Sequence, residues 1–156
     1  EAVDVYTYGI ASLAVGKGVS ADSTFVSAQF SLPYVVSACL TDQEMGPAQL
    51  KANRVSDPAI LELAQKVKVS VDPELTRAYP GVTASRVEIK LKSGRTLAKQ
   101  VDMPRGDPRN PMTAEGVADK MKRFAAKRDQ EALKRVIGLS LELENLGDIS
   151  ELTSIV

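Results

Sequence analysis

Histidine is absent from this chain, and cysteine occurs once, at Cys39. Histidine is the usual general base near neutral pH, so the chain alone is a poor candidate for a complete active site. The same two shortages leave no cluster with metal-ligand spacing. A single cysteine excludes an intrachain disulfide framework and fits a reducing, cytoplasmic compartment. Cys39 lies in an apolar run and is expected to be a buried thiol. Net charge is also lacking: 20 Lys and Arg balance 20 Asp and Glu, with a pI near 6.6. That balance gives no electrostatic footprint for nucleic acid or a membrane surface. No run approaches the roughly 20 apolar residues of a membrane span. The chain opens at Glu1 with neither an initiator methionine nor a signal peptide. A fragment or processed piece explains that opening and the missing histidines together.

What remains is an ordinary globular composition, 44% hydrophobic and 26% charged over 156 residues. That is enough for one domain with a sizeable core. Residues 2–8 alternate Val3 and Val5 with Asp4, Tyr6 and Tyr8, the pattern of a half-buried strand. Residues 10–15 are apolar and fit either helix or strand. Residues 16–23, with two glycines, read as a loop that either connects elements or closes over a ligand. Gly46-Pro47 starts a short helical piece over 47–53. Asp57 before Pro58 is a helix start, with Ile60, Leu61 and Ala64 turned inward. Residues 67–71 alternate as a strand, ended by Asp72-Pro73. Residues 86–91 and 95–101 form a hairpin about Ser93-Gly94. Three prolines constrain the loop 103–112. Thr113 caps a helix over 114–127, with Val117, Met121 and Phe124 on one face. Asp129 caps another over 130–145, striped by Leu133, Val136, Ile137 and Leu141. Asp148 and Glu151 have capping-box spacing for a last helix to Val156.

The elements do not alternate strictly β-α-β. They predict an α+β fold: a small antiparallel sheet with flanking helices in residues 1–112, then a C-terminal helical tail in 113–156. The wide apolar face of the tail calls for a partner surface.

The stretch around which the chain is organised is 28–34, Ala-Gln-Phe-Ser-Leu-Pro-Tyr. Ser31 is a good N-cap and Pro33 sits in the first turn, where its missing N–H costs nothing. Tyr34 follows near a helix N-terminus, where free N–H groups favour anions. It either touches a carboxylate or packs and hydrogen-bonds a neighbour.

Phe-Ser-Leu-Pro-Tyr after Ala-Gln resembles the signature of the MmgE/PrpD family, the 2-methylcitrate dehydratase-like enzymes. The order of later features is similar too: Asp57-Pro58, the 67–75 segment, Tyr79-Pro80, the hairpin, and Pro104-Arg105-Gly106-Asp107-Pro108-Arg109-Asn110-Pro111. The resemblance covers essentially the whole chain but only the C-terminal part of a family member. It implies lyase chemistry on small polycarboxylates, in a homodimer, without metal, iron–sulfur cluster or other cofactor. Related members decarboxylate cis-aconitate or epimerise iminodisuccinate. It also implies that the tail packs on an all-helical domain that precedes this region, and that the base histidines lie there.

Tyr34 is the residue carried over by motif position. Its phenol, neutral at pH 7, is suited to donate a proton or hydrogen bond to substrate. Ser31 is a second candidate for the same pocket, with capping as its other reading. Arg105 and Arg109 are candidates to hold carboxylates bidentately, or else parts of a structural loop. The cations Lys120, Lys122, Arg123, Lys127 and Arg128 are interleaved with Asp119, Asp129 and Glu131. They read as a solvated helix face without an aromatic stacking pattern for nucleic acid. Asp102 and Asp107 do not form an evident carboxylate pair. A stand-alone binding or assembly module of the same fold is the alternative to a lyase domain.

Overall fold

The computed structural model describes residues 2–125 and 128–155. The chain divides into two compact units, residues 1–104 and 105–156. The division falls inside the proline-rich loop, between Pro104 and Arg105.

The first unit is built on a four-stranded sheet of order β2-β1-β3-β4: β1 Ala2–Thr7, β2 Val67–Val71, β3 Ser85–Lys90 and β4 Thr96–Val101. The expected antiparallel pairings are present for β1 with β3 and β3 with β4. The sheet is nevertheless mixed, because β1 and β2 run parallel, Val3 facing Val67 and Thr7 facing Val71. A parallel pair needs a long crossover, and here the whole helical segment between the two strands provides it. The hairpin turn is where it was expected, with Gly94 at φ +83°, a conformation natural to glycine.

The crossover carries α1 Gly9–Val15, α2 Phe25–Gln29, α3 Leu32–Asp42, α4 Ala52–Val55 and α5 Pro58–Gln65. Residues 10–15 thus resolve as helix. Residues 47–50 are turns rather than helix, and the helical piece begins at Ala52. The short α2 was not expected; its cap is Thr24, which accepts from the Ser27 amide. After β2, Asp72 accepts the Glu74 and Leu75 amides and starts α6 Pro73–Ala78.

α3 is the element that joins two cores. Leu32 and Val36, one turn apart, pack on the sheet against the cluster of Val3, Val5 and Val67. Tyr34 and Ala38, on the opposite side, pack into a second cluster with Ala28, Val55 and Ile60. Cys39 is one residue beyond Ala38, a rotation of about 100° around the axis. It shares the side of α3 that carries Leu32 and Val36, but lies near the C-terminal end of the helix and is exposed, which corrects its expected burial.

The second unit contains α7 Ala114–Phe124, α8 Gln130–Leu141, a 3-10 turn Leu143–Asn145 and α9 Ser150–Thr153. Thr113 and Asp129 cap α7 and α8 as expected. Lys127 and Val156, placed in helices by the sequence pattern, lie outside the described residues. Leu133 and Ile137 are buried, while Val117, Phe124 and Leu141 remain exposed. An apolar groove of about 320 Å³ is lined by Met121, Ala125, Leu133, Val136 and Ile155. Among the described residues no helix is long and apolar enough to cross a membrane.

Candidate functional site

The site begins at the N-terminus of α3. Ser31 has extended backbone and its Oγ accepts the Tyr34 amide, the cap expected of it. The same Oγ donates to the Lys17 carbonyl at 2.7 Å, which ties residues 16–23 to the start of α3. Ser31 is almost wholly buried, and both hydrogen-bonding roles of its hydroxyl are engaged.

Tyr34 is fully buried. Its hydroxyl donates to the main-chain carbonyl of Gln49. Burial pushes its pKa above the ordinary phenol value, partly opposed by the charge of Arg54. The phenol is therefore a neutral donor at pH 7, committed to Gln49 in this conformation.

Gln49 sits in residues 43–51, which connect α3 to α4. This segment is held by side chains. Gln49 is buried; its Nε2 donates to Asp42 at 3.0 Å and Glu44 at 3.3 Å, and its Oε1 accepts the Gly46 amide at 3.1 Å. Arg54, from α4, reaches back to Asp42 with Nε and a terminal nitrogen, and forward to Asp57. These hydrogen bonds hold the Asp42 carboxyl below the usual carboxylate range. Met45 and Leu50 pack from the same segment onto the Tyr34 cluster. Of this network, only the Asp57 cap is visible in the sequence. Asp42, Gln49 and Arg54 have no local spacing rule to link them, because folding back of the chain brings them together.

The two arginine candidates lie in the second unit. Arg109 is engaged locally: its Nε donates to Asp107 Oδ1 at 2.8 Å and its Nη2 to Oδ2 at 2.9 Å. The Arg109 amide also donates to Asp107, at 2.8 Å. Together they lower the Asp107 pKa to about 2. Gly106, at φ +100°, closes this turn by donating to the Asn110 carbonyl. A folded-state pKa below the unfolded one adds stability above the unfolded pKa and loses it as pH falls toward about 2. The 105–112 turn is thus expected to hold through mildly acidic pH. Asp107→Asn should remove that acid limb, read by following the Arg109 amide by NMR from pH 5 to 2. Arg105 is exposed and packs over the face of α7, with a terminal nitrogen 2.6 Å from where a Cβ on Gly116 would stand.

Among the remaining candidates, Asp102 accepts from Gln100 and Asp129 caps α8. Lys122 pairs with Asp119 at 3.5 Å and Lys120 lies over the Phe124 ring. These are contacts within helices, as a solvated face has. Among the described residues no group of three His, Cys, Asp or Glu could hold a metal ion.

A sequence profile of the MmgE/PrpD C-terminal domain matches residues 1–143, nearly the whole chain and all four strands. The chain belongs to the MmgE/PrpD family. The match also takes in the Ser31–Tyr34 cap and the 105–111 turn, so both candidate regions lie inside the family domain. Curated relatives are similar at lower identity. Cis-aconitate decarboxylase of Aspergillus terreus is 28% identical over 134 residues, which cover 84% of this chain and 27% of the relative. Cis-aconitate decarboxylase of Mus musculus is 28% identical over 130 residues, covering 83% and 26%. That of Homo sapiens is 25% identical, covering 83% and 27%. The MmgE/PrpD chain described here thus spans about a quarter of the length of these relatives.

Proposed function

We propose that this chain supplies the α+β part of a lyase acting on small polycarboxylates. The family match across residues 1–143 carries this reading. Decarboxylation of cis-aconitate is the leading activity, because relatives so named are similar over 83% to 84% of the chain. Dehydration of 2-methylcitrate is the second reading, carried by Phe30-Ser31-Leu32-Pro33-Tyr34. The two reactions share a need. Loss of CO2 leaves a carbanion that must be protonated, and dehydration requires an acid for the departing hydroxyl. A buried, neutral phenol suits either step. Tyr34 is proposed as that donor, once its hydroxyl leaves the Gln49 carbonyl. Ser31 positions it by capping α3. Arg105 is proposed to hold a substrate carboxylate; Arg109 would have to exchange its pairing with Asp107 to do so.

In this reading the base histidines belong to an upstream helical domain, as the family resemblance implies; this chain itself holds no histidine. The proposed chemistry is acid–base and uses no cofactor. An upstream helical domain and a second protomer complete the proposed assembly, covering apolar side chains such as Leu13 and Phe124 that stand exposed here. The alternative reading, which the missing histidine suits equally, is a non-catalytic assembly module of the same fold.

The test is turnover by the gene product at its natural length, followed as CO2 release from cis-aconitate and as alkene absorbance from 2-methylcitrate. Turnover of either substrate is expected, with little from residues 1–156 alone. A natural-length product inert on both substrates would leave the assembly module standing.

A further inference from the structure

The Tyr34 hydroxyl donates to the main chain of residues 43–51, a segment in which only Gln49 is buried. Its backbone runs through turns rather than regular ladders. Met45 and Leu50 supply its partly buried apolar contacts with the Tyr34 cluster. Gln49 ties it internally, and the Arg54–Asp42 pair joins its far end to its near end. Segments with few buried contacts open locally at free energies well below global unfolding.

We propose that residues 43–51 form a movable cover over the Tyr34 phenol, latched by Arg54 on Asp42. Arg54 is then a positioning residue: through Gln49 it fixes where the phenol points and whether it is reachable. Closed, the cover holds the hydroxyl on the Gln49 carbonyl. Open, it frees the hydroxyl for an outside acceptor. This rests on geometry within the first unit, and it supplies what the lyase reading needs of Tyr34.

The experiment is nitration with tetranitromethane, resolved by peptide mass spectrometry, on the 156-residue chain. Tyr6, Tyr8 and Tyr79 are internal controls; Tyr79 is exposed and stacks on Tyr8 at 4.6 Å. In the wild type, Tyr34 should react slowest of the four. In Arg54→Ala it should react about tenfold faster, the factor given by about 1.4 kcal/mol lost from the closed state. The controls should not change. Phenol ionisation cannot mimic this result, since losing the Arg54 charge raises the Tyr34 pKa and slows nitration. Asp42→Asn is the second variant if Arg54→Ala does not fold, read by hydrogen exchange at the Gly46 and Gln49 amides. Faster Tyr34 nitration, or faster exchange confined to residues 43–51, supports the cover. Wild-type Tyr34 as reactive as Tyr79 overturns it, as does a folded variant with Tyr34 still protected. The readout is reactivity, not turnover, so it does not depend on the lyase reading.

Discussion

Tyr34→Ala is expected to lower the stability of the first unit by about 3–5 kcal/mol, the range for removing a buried aromatic side chain. Tyr34 is fully buried among Ala28, Ala38, Val55 and Ile60, so no solvent fills the space and the surrounding helices must collapse or leave a void. Urea denaturation reads the loss as a lower midpoint at unchanged slope. Tyr34→Phe separates two roles that alanine confounds. It keeps the ring and removes the donor, leaving the Gln49 carbonyl without its partner, at a cost of about 1–3 kcal/mol. If the phenol is only an anchor, turnover by the natural-length protein falls no further than its folded fraction. If it donates a proton, turnover falls at temperatures where the protein is fully folded. Unchanged turnover on cis-aconitate and 2-methylcitrate would remove Tyr34 from the mechanism.

Ile60→Ala is expected to cost about 2–5 kcal/mol. Ile60 is fully buried and couples α5 to the same cluster as Tyr34. Its loss should also loosen the packing beneath residues 43–51. Leu13→Ala is the matched control, since Leu13 is 79% exposed in this chain. A surface change of that kind is worth about 0.5 kcal/mol or less. Thermal melts of the two variants side by side test the core assignment. Equal shifts would mean that the second cluster does not carry the fold.

The pair also bears on function. A lyase built on Tyr34 needs the phenol held accurately before it is released, and the Ile60 cluster does the holding. Stability lost at Ile60 is therefore expected to appear in turnover as well, in proportion to the folded fraction. Arg54→Ala should differ: it changes access to the phenol more than the stability of the cluster.

Much of this was legible from local chemistry. Ser31, Asp57, Thr113 and Asp129 each accept a nearby backbone amide as their positions predict. That follows because a helix start is decided within three residues. The β3–β4 hairpin is equally local: two alternating runs and a glycine at positive φ. The family resemblance, resting on short motifs in order, was legible for the same reason.

The rest depended on contacts between distant residues. Alternation marks Val67–Val71 as a strand, but not that it joins β1 in parallel; the intervening helices decide that. An apolar run marks α3, but its neighbours decide how much of each face is core, and Cys39, near the end of the helix, is exposed. Residues 43–51 carry only the Gly46-Pro47 start signal, which does not predict how they are fastened. Their fastening arises only when α4 brings Arg54 back to Asp42, twelve positions earlier in the chain. From its sequence alone the protein had its caps, its hairpin and its family resemblance. Only the tertiary structure decided that Tyr34 sits under Gln49, because packing free energy depends on which surfaces meet and not on their order along the chain.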